Sequence, residues 1–577
     1  MDIMKVKEII RKVVAEFALG KEFSVEHPAD EAMGDYSTNV AMVMAKEMGR
    51  NPRELAVDLV RKLDVSNELK KIIEKIEVAG PGFINFYLKD SFFLSEIQEV
   101  LAEKQNYGKN KDHIEQKVMV EYTDPNPFKQ FHIGHLMSNS IGESFARLFE
   151  FQGAELKRVN YQGDVGLHVA KCIYGLRELF AERNTDMQQI GKMDLDSRVK
   201  FMGEAYALGA RDYEEKESVK VSIEDLNKLI YDKTDSEVNE VYDLGRKWSL
   251  EYFEKIYEKL GTKFDEYFFE SEVGSIGLGL VKEYLEKDVF EESQGAVIFA
   301  GEKYELHTRV FVNKLGLPTY EAKDLALIRA KFERFPYDKS IIVTANEINE
   351  YFKVLLKVAS LISPDLAART THVGHGMLRL KNGKMSSRTG QVVTGESLIE
   401  EVSEEIRKKM KETGRDKEVE SLESVISKVA IGAIKYSMLK QSPGKDIAFD
   451  FETSLSFEGD SGPYLQYAYA RSMSVLEKAE KKETDKVLDT ELESEERNLL
   501  RWIYRFPEIV EVAGKTLAPN LICSYLIELS SRFNLFYANC KIVGTDKEGF
   551  RLALTKTMAQ VLSNGLWLLG IETVDKM

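Results

Sequence analysis

Val118-Met119-Val120-Glu121-Tyr122-Thr123-Asp124-Pro125-Asn126-Pro127-Phe128-Lys129-Gln130-Phe131-His132-Ile133-Gly134-His135 is the stretch whose reading decides the fold. Its first five residues form a short apolar run with β-branched members and predict a strand. Two prolines then impose a loop, and apolar periodicity over 133–151 predicts a helix. A second strand-like run follows at 156–161. Strand, loop, helix and strand in that order are the signature of a parallel βαβ unit.

Upstream, residues 6–110 mix helical periods with turn-rich stretches at 34–39 and 80–85, and alternation over 83–88 predicts a strand after a Pro-Gly turn. That portion reads as an α+β domain, followed by a polar, Lys-rich linker at 104–117. Downstream, 170–290 turns helical and acidic, with Val238, Val241, Tyr242, Trp248, Tyr252, Ile256 and Leu260 near a 3.6 period. This block reads as an insertion. Strand-like runs return at 296–300, 309–312 and 340–344, as the second half of one parallel sheet requires. Beyond 395 the strand signals fade, and Ile522, Tyr525, Leu526, Leu529, Phe533, Phe536 and Tyr537 trace an apolar helix stripe. The expected architecture is therefore multidomain α/β. It comprises an N-terminal α+β domain (1–110), a Rossmann-type parallel-sheet core with a helical insertion (111–395), and a C-terminal all-α bundle (396–577).

Bulk properties bound the function. A chain of 577 residues suggests roughly three to five domains. Lys+Arg 80 against Asp+Glu 96 leaves a net charge of −16, so no global basic field holds nucleic acid and any such contact must be local. Hydrophobic content of 43% is too high for a disordered chain. The apolar run at 430–439 is broken by Lys435, well short of the ~20 residues that span a bilayer. The amphipathic, acid-containing N-terminus lacks a signal-peptide pattern, which makes the cytoplasm the default expectation. Cys172, Cys523 and Cys540 form no CxxC pair, against a disulfide framework or a Cys-type zinc site. Acidic residues 481–496 read as a solvated edge or linker. His132/His135 and His372/His375 have spacings that allow each pair to share a helix face as metal ligands, but neither has an obvious third ligand, and no metal site is assigned.

Two segments carry chemistry. His132 and His135 flank Gly134 at a predicted helix start, where free N–H groups and the helix dipole attract phosphate. Imidazoles there can donate to phosphate oxygens as charge builds in a transition state, and Gly134 lets a flat ring approach. Far downstream, Lys384-Met385-Ser386-Ser387-Arg388-Thr389-Gly390 offers cations, hydroxyls and turn amides to a polyphosphate.

Together the two segments resemble the class I aminoacyl-tRNA synthetases, specifically the arginyl-tRNA synthetase family. His132-Ile133-Gly134-His135 matches the HIGH signature, and 384–388 is a variant of the KMSKS loop. Val120-Glu121-Tyr122-Thr123-Asp124-Pro125-Asn126 and the 457–468 block pick out the arginyl type, while 35–42 and 79–85 are similar to its appended N-terminal domain. The resemblance implies attack of the arginine carboxylate on the ATP α-phosphate, then transfer to the 2′-hydroxyl of the terminal tRNA ribose. Mg²⁺ would accompany ATP. Glu121, Asn126, His132, Tyr320 and Asp324 are then the implied arginine contacts, with Tyr320 and Asp324 on one side of a helix. His132, Gly134, His135, Lys384, Met385, Ser386, Ser387 and Arg388 are the implied ATP contacts.

Ser387 stands where KMSKS has its second lysine; Lys129, just before HIGH, and neighbouring Arg388 are the candidates for the missing charge. The family's glutamine after the next strand is also absent, since the chain reads Ala345-Asn346-Glu347-Ile348-Asn349-Glu350. His132, His135, Lys129 and Lys384 are the implied catalytic set. The resemblance further implies an N-terminal domain at the tRNA elbow (Tyr36, Asn39), an anticodon-reading bundle (Tyr464, Gln466, Tyr467, Tyr525), and a monomer. Another class I synthetase would fit less well, because the zinc cysteines of the cysteinyl type are missing and Glu121 with Asp324 favours a cationic substrate. A non-catalytic tRNA-binding paralogue is opposed by intact His132, His135 and Lys384.

Overall fold

The computed structural model describes residues 6–381, 394–412, 414, 421–479 and 490–577. The chain separates into two compact units, one of residues 1–107, 472–506 and 528–562, the other of 108–471, 507–527 and 563–577.

The second unit is organised by five strands: β1 (Lys117–Glu121), β2 (Glu155–Gln162), β3 (Glu266–Phe269), β4 (Lys339–Ala345) and β5 (Thr370–His375). They pair in the order β3-β2-β1-β4-β5, every pair parallel. This is the doubly wound nucleotide-binding order, whose ligand crevice opens at the strand C-termini where the order reverses, between β1 and β4. The apolar run of β1 is explained by burial on both faces, with Val118, Met119 and Val120 fully covered. One face carries the helix Ile133–Phe151 that links β1 to β2; the helices Tyr320–Arg334 and Asn349–Ile362 share a core with Phe311, Ile342 and Phe352.

The helical insertion lies between β2 and β3. Its main helices are Leu167–Arg183, Leu195–Glu215, Glu217–Asp232 and Ser236–Leu260, and the stripe predicted along the last is buried throughout. The first two cross at reciprocal glycines. A Cβ at Gly175 would lie 1.9 Å from the Ala205 carbonyl oxygen, and one at Gly209 1.9 Å from that of Lys171. Only hydrogen fits at either crossing.

Several expectations need correction. Strand β3 lies within the stretch read as helical, because four residues leave no period to detect. Residues Ala296–Phe299 and Arg309–Val312 do form strands, but in a separate antiparallel sheet with Glu291–Ser293. His372 and His375 lie on strand β5, where an odd spacing of three sends them to opposite faces. A short strand, Ile447–Phe449, survives beyond 395 and pairs with Leu378–Leu380. The 481–496 stretch is described only from 490 onward, and its end belongs to the helix Ser494–Tyr504. The three cysteines are free and buried.

The first unit contains a four-stranded antiparallel sheet in the order Val25–Glu26, Tyr36–Thr38, Phe83–Leu88, Ile73–Ala79. Its helix Pro52–Leu63 starts at Asn51, whose side chain accepts from the Arg53 and Glu54 amides. Within the same unit Arg501 bonds Asp35 at 2.6 Å, and Arg551 bonds the fully buried Glu496 at 2.8 Å.

Gly175→Val should force the two insertion helices apart. A loss of about 1–3 kcal/mol, the usual cost of overpacking, should appear as a lower thermal midpoint; an unchanged midpoint would show that the crossing tolerates a side chain.

Candidate active site

Between β1 and the helix Ile133–Phe151 the backbone is strained. Thr123, Asp124 and Phe128 hold φ values of 79°, 46° and 67°, a conformation that costs non-glycine residues free energy, most of all β-branched ones. The helix enforces it: Ser138 Oγ accepts from the Thr123 amide at 2.9 Å and donates to the Val343 carbonyl at 2.7 Å, while Asn139 Nδ2 donates to Thr123 Oγ1 at 3.0 Å.

At the helix start the two histidines form the cap. The Gly134 amide donates to His132 Nδ1 at 3.1 Å, and the His132 amide donates to His135 Nδ1 at 3.2 Å. The rings stack with centroids 3.6 Å apart. A nitrogen that accepts carries no proton, so each neutral ring holds its proton on Nε2. Burial first, then the nearby Lys129, lowers the pKa of His132; burial, then His132, lowers that of His135 further. Two neutral Nε2–H donors result. Lys129, one residue beyond Phe128, places its ammonium 5.6 Å from the centre of the Tyr206 ring of the insertion, and burial, then Lys171, lowers its pKa.

Beside this corner lies a cluster of acids. The helix Tyr320–Arg334 turns Tyr320, Lys323, Asp324 and Lys331 to one side, at spacings close to whole turns. Lys331 Nζ donates to Glu121 Oε2 at 2.8 Å and Lys323 Nζ to Glu270 Oε2 at 2.6 Å, all four side chains being buried. Asp324 has no lysine among the described residues; it accepts from the Tyr351 hydroxyl at 2.5 Å, and burial raises its carboxyl to about 7. Asp124 accepts from the Tyr161 amide at 2.8 Å, and burial, then Glu121, raises its pKa strongly. The Tyr161 hydroxyl is buried without a hydrogen-bond partner. Gly163, just past β2, brings Asn126 and Glu270 together: a Cβ there would lie 2.2 Å from Asn126 Oδ1 and 3.0 Å from Glu270 Oε1. Tyr320, at the helix start, is 56% exposed and forms the rim.

The crevice thus gathers Glu121, Asn126, Lys129, His132, Gly134, His135, Tyr320 and Asp324. Glu121 arrives already paired, a feature that its position before the histidines does not disclose. Lys384, Met385, Ser386, Ser387 and Arg388 lie outside the described residues. Thr394, the first residue described after them, pairs with His132, and the Gly395 amide donates to the Phe131 carbonyl at 2.8 Å.

Three of the residues assigned to nucleic acid are elsewhere occupied. Tyr36 is fully buried, its ring tilted against His27 with centroids 4.5 Å apart; Tyr525 is 2% exposed. Gln466 is fully buried, and its Nε2 donates to the Lys428 and Glu572 carbonyls. None of these can reach RNA in this conformation. Asn39 is half-buried and accepts from the Ser24 amide; Tyr464 and Tyr467 are half-buried, the latter beneath Arg471.

A doubly wound sheet with a histidine-capped helix at its switch point is the architecture of a class I aminoacyl-tRNA synthetase, and residues 96–451 match the family described as tRNA synthetases class I (R), catalytic domain. The flanks match the arginyl tRNA synthetase N terminal domain at 4–88 and the DALR anticodon binding domain at 465–577. The chain belongs to the arginyl-tRNA synthetase family. It is 32% identical to an arginine–tRNA ligase of Clostridium acetobutylicum across all of both chains, and 31% identical to that of Fusobacterium nucleatum across 99% of this chain and 98% of the relative. Its fold is similar to the arginyl-tRNA synthetases of Thermus thermophilus (TM-score 0.80, 24% identity, 99% of each chain) and Plasmodium falciparum (TM-score 0.79, 22% identity, 99% and 98%).

The cap geometry sets a spectroscopic expectation. At pH 6.5, where a free imidazole is half protonated, nitrogen-15 spectra should show His132 and His135 neutral and protonated on Nε2. A protonated Nδ1 on either ring would remove the paired donors.

Proposed function

We propose that the chain ligates L-arginine to its cognate tRNA through arginyl-adenylate. The observation that carries this reading is a half-buried acid, Asp324, which has no basic partner among the described residues and lies beside the histidine corner. A guanidinium presents a rigid fork of N–H donors that pairs with carboxylates. We assign Asp324 to it, with Tyr320 over its plane and Asn126 and Glu270 toward the rest of the substrate; Glu121, held by Lys331, adds its field.

Arginine's carboxylate oxygen attacks the α-phosphorus of ATP, the bond to the β-phosphate oxygen breaks, and pyrophosphate departs. The 2′-hydroxyl of the terminal adenosine then attacks the adenylate carbonyl and expels AMP. Neither step needs a protein nucleophile; orientation and charge neutralisation lower the barriers. Neutral imidazoles suit this, because each donates an Nε2–H to phosphate oxygen as negative charge shifts. Mg²⁺ is supplied with the triphosphate. Among the described residues the one group with metal-ligand spacing, Glu493, Glu496 and Cys540, is already met by Lys547 and Arg551. Lys384, Met385, Ser386, Ser387 and Arg388 are read as the loop that closes on ATP. The N-terminal domain is read as the tRNA elbow contact, and the helical region beyond 396, with Tyr464 and Tyr467, as the anticodon reader. The same reading makes the protein a cytoplasmic monomer; no helix among the described residues is long and apolar enough to cross a membrane.

Arginine-dependent ATP–pyrophosphate exchange, with and without tRNA, tests the reading. Asp324→Ala should cut kcat/KM for arginine by about 100-fold or more while ATP binding persists; an unchanged value would remove Asp324 from the site. In pre-steady-state adenylate formation, Lys129→Ala should be slower than wild type and slower than Arg388→Ala; wild-type speed would assign the missing KMSKS charge elsewhere.

A further inference from the structure

We propose that the Tyr351 hydroxyl is a positioning group for arginine recognition in this chain, orienting Asp324 and favouring its ionised form where the family's glutamine is absent. The proposal rests on the reading of Asp324 as the guanidinium acid. The segment after β4 offers four polar side chains, Asn346, Glu347, Asn349 and Glu350, and none hydrogen-bonds Asp324; Glu350 pairs with Lys353 at 2.6 Å. Asn346 Nδ2 reaches toward the Gly444 carbonyl at 3.5 Å, Asn349 Oδ1 lies where a Gly374 Cβ would be, at 2.2 Å, and Glu347 is exposed. Tyr351 comes at the third position of the helix Asn349–Ile362, and its hydroxyl donates to Asp324 Oδ2 at 2.5 Å. Phe352 fixes that helix start: it is buried and stacked on His372 at 3.8 Å.

The charged surroundings make this bond consequential. Glu270 from the helix Glu270–Leu285, Glu121 from β1 and Glu321 from its own helix all oppose ionisation of Asp324, and burial opposes it more. Asp124 from the strained loop and the Tyr161 hydroxyl from β2 feel the same carboxyl. Arg309 lies 5.7 Å from the Tyr351 ring centre, but its guanidinium is 3.7 Å from Glu321. The Tyr351 O–H is therefore the largest influence that favours the ionised carboxyl of Asp324.

Removing a hydrogen bond to the ionised form raises the carboxyl's pKa further, and binding of a guanidinium must then displace a proton over a wider pH range. Steady-state exchange on the full chain with tRNA, measured from pH 6 to pH 9, reads this. Tyr351→Phe should raise KM for arginine about tenfold at pH 7, with the difference shrinking to under threefold at pH 9. KM for ATP should stay within twofold, and the thermal midpoint close to wild type. Added to Asp324→Asn, the same change should leave no pH-dependent increment. An arginine KM within twofold of wild type at pH 7, or a rise equal at every pH, would overturn the proposal. If Asp324→Asn itself left the arginine KM unaltered, the guanidinium assignment would fail first, which separates the two ideas.

Discussion

Four carboxylates, Glu121, Asp124, Glu270 and Asp324, meet at the C-terminal edge of the sheet, and among the described residues only two of them have lysines. That imbalance governs the site. Burying an unpaired carboxylate is expensive, so these acids must either hold protons or meet a cation. Burial raises the pKa of both Asp324 and Asp124, and on the proposed reading a guanidinium is the cation that relieves Asp324. Lys331 and Lys323 cannot relieve Asp324 without abandoning Glu121 and Glu270, because one rigid helix carries both lysines and the acid. Neutral amino acids would leave the acid protonated and the site's selectivity unused.

Preorganisation comes from the helix after β1. Its residues Ser138 and Asn139 hold Thr123 at a φ that a threonine seldom adopts, and one turn further on Glu143 accepts from the Tyr122 hydroxyl at 2.5 Å. Burial works against the Glu143 charge, yet Arg147 and Arg158 outweigh it and hold the carboxyl below its ordinary pKa. Arg147 also donates to the Trp567 carbonyl and Ser144 to that of Leu568. Lys435, whose ammonium burial lowers to about 7, bridges the Leu260 and Gly570 carbonyls. The end of the insertion and the last residues of the chain are thereby tied to the helix that begins at the histidines.

How much of this was legible in the sequence depended on locality. Strand, loop and helix around His132 were legible because each has a short-range signal: β-branched residues, prolines, a 3.6 period. The buried stripe of Ser236–Leu260 was legible for the same reason. Strands β3 and β5 were not, since one is four residues long and the other, Thr370–His375, is a polar edge strand with no apolar run. Glu270, Lys323 and Lys331 escaped because their meaning is relational: lysine and acid are 53 residues apart in one pair and 210 in the other. That Tyr36, Tyr525 and Gln466 are buried was not legible, because an aromatic or amide side chain has the same sequence signature whether it faces RNA or fills a core. Only burial distinguishes the two.

The strained loop also couples the two halves of the reaction. Asp124 and Asn126 border the acid cluster, while four residues beyond Phe128 the chain begins the histidine-capped helix. With Pro125 and Pro127 restricting the backbone and Ser138 anchoring Thr123, this bridge has little freedom to lengthen. On the proposed reading, the distance between a guanidinium on Asp324 and a phosphate on the imidazoles is then fixed by the protein. The substrate's own length then decides whether its carboxylate meets the α-phosphorus. A shorter cation could satisfy the acids yet fall short of the phosphate, so binding and reaction impose separate tests on the same molecule, and discrimination multiplies without a second site.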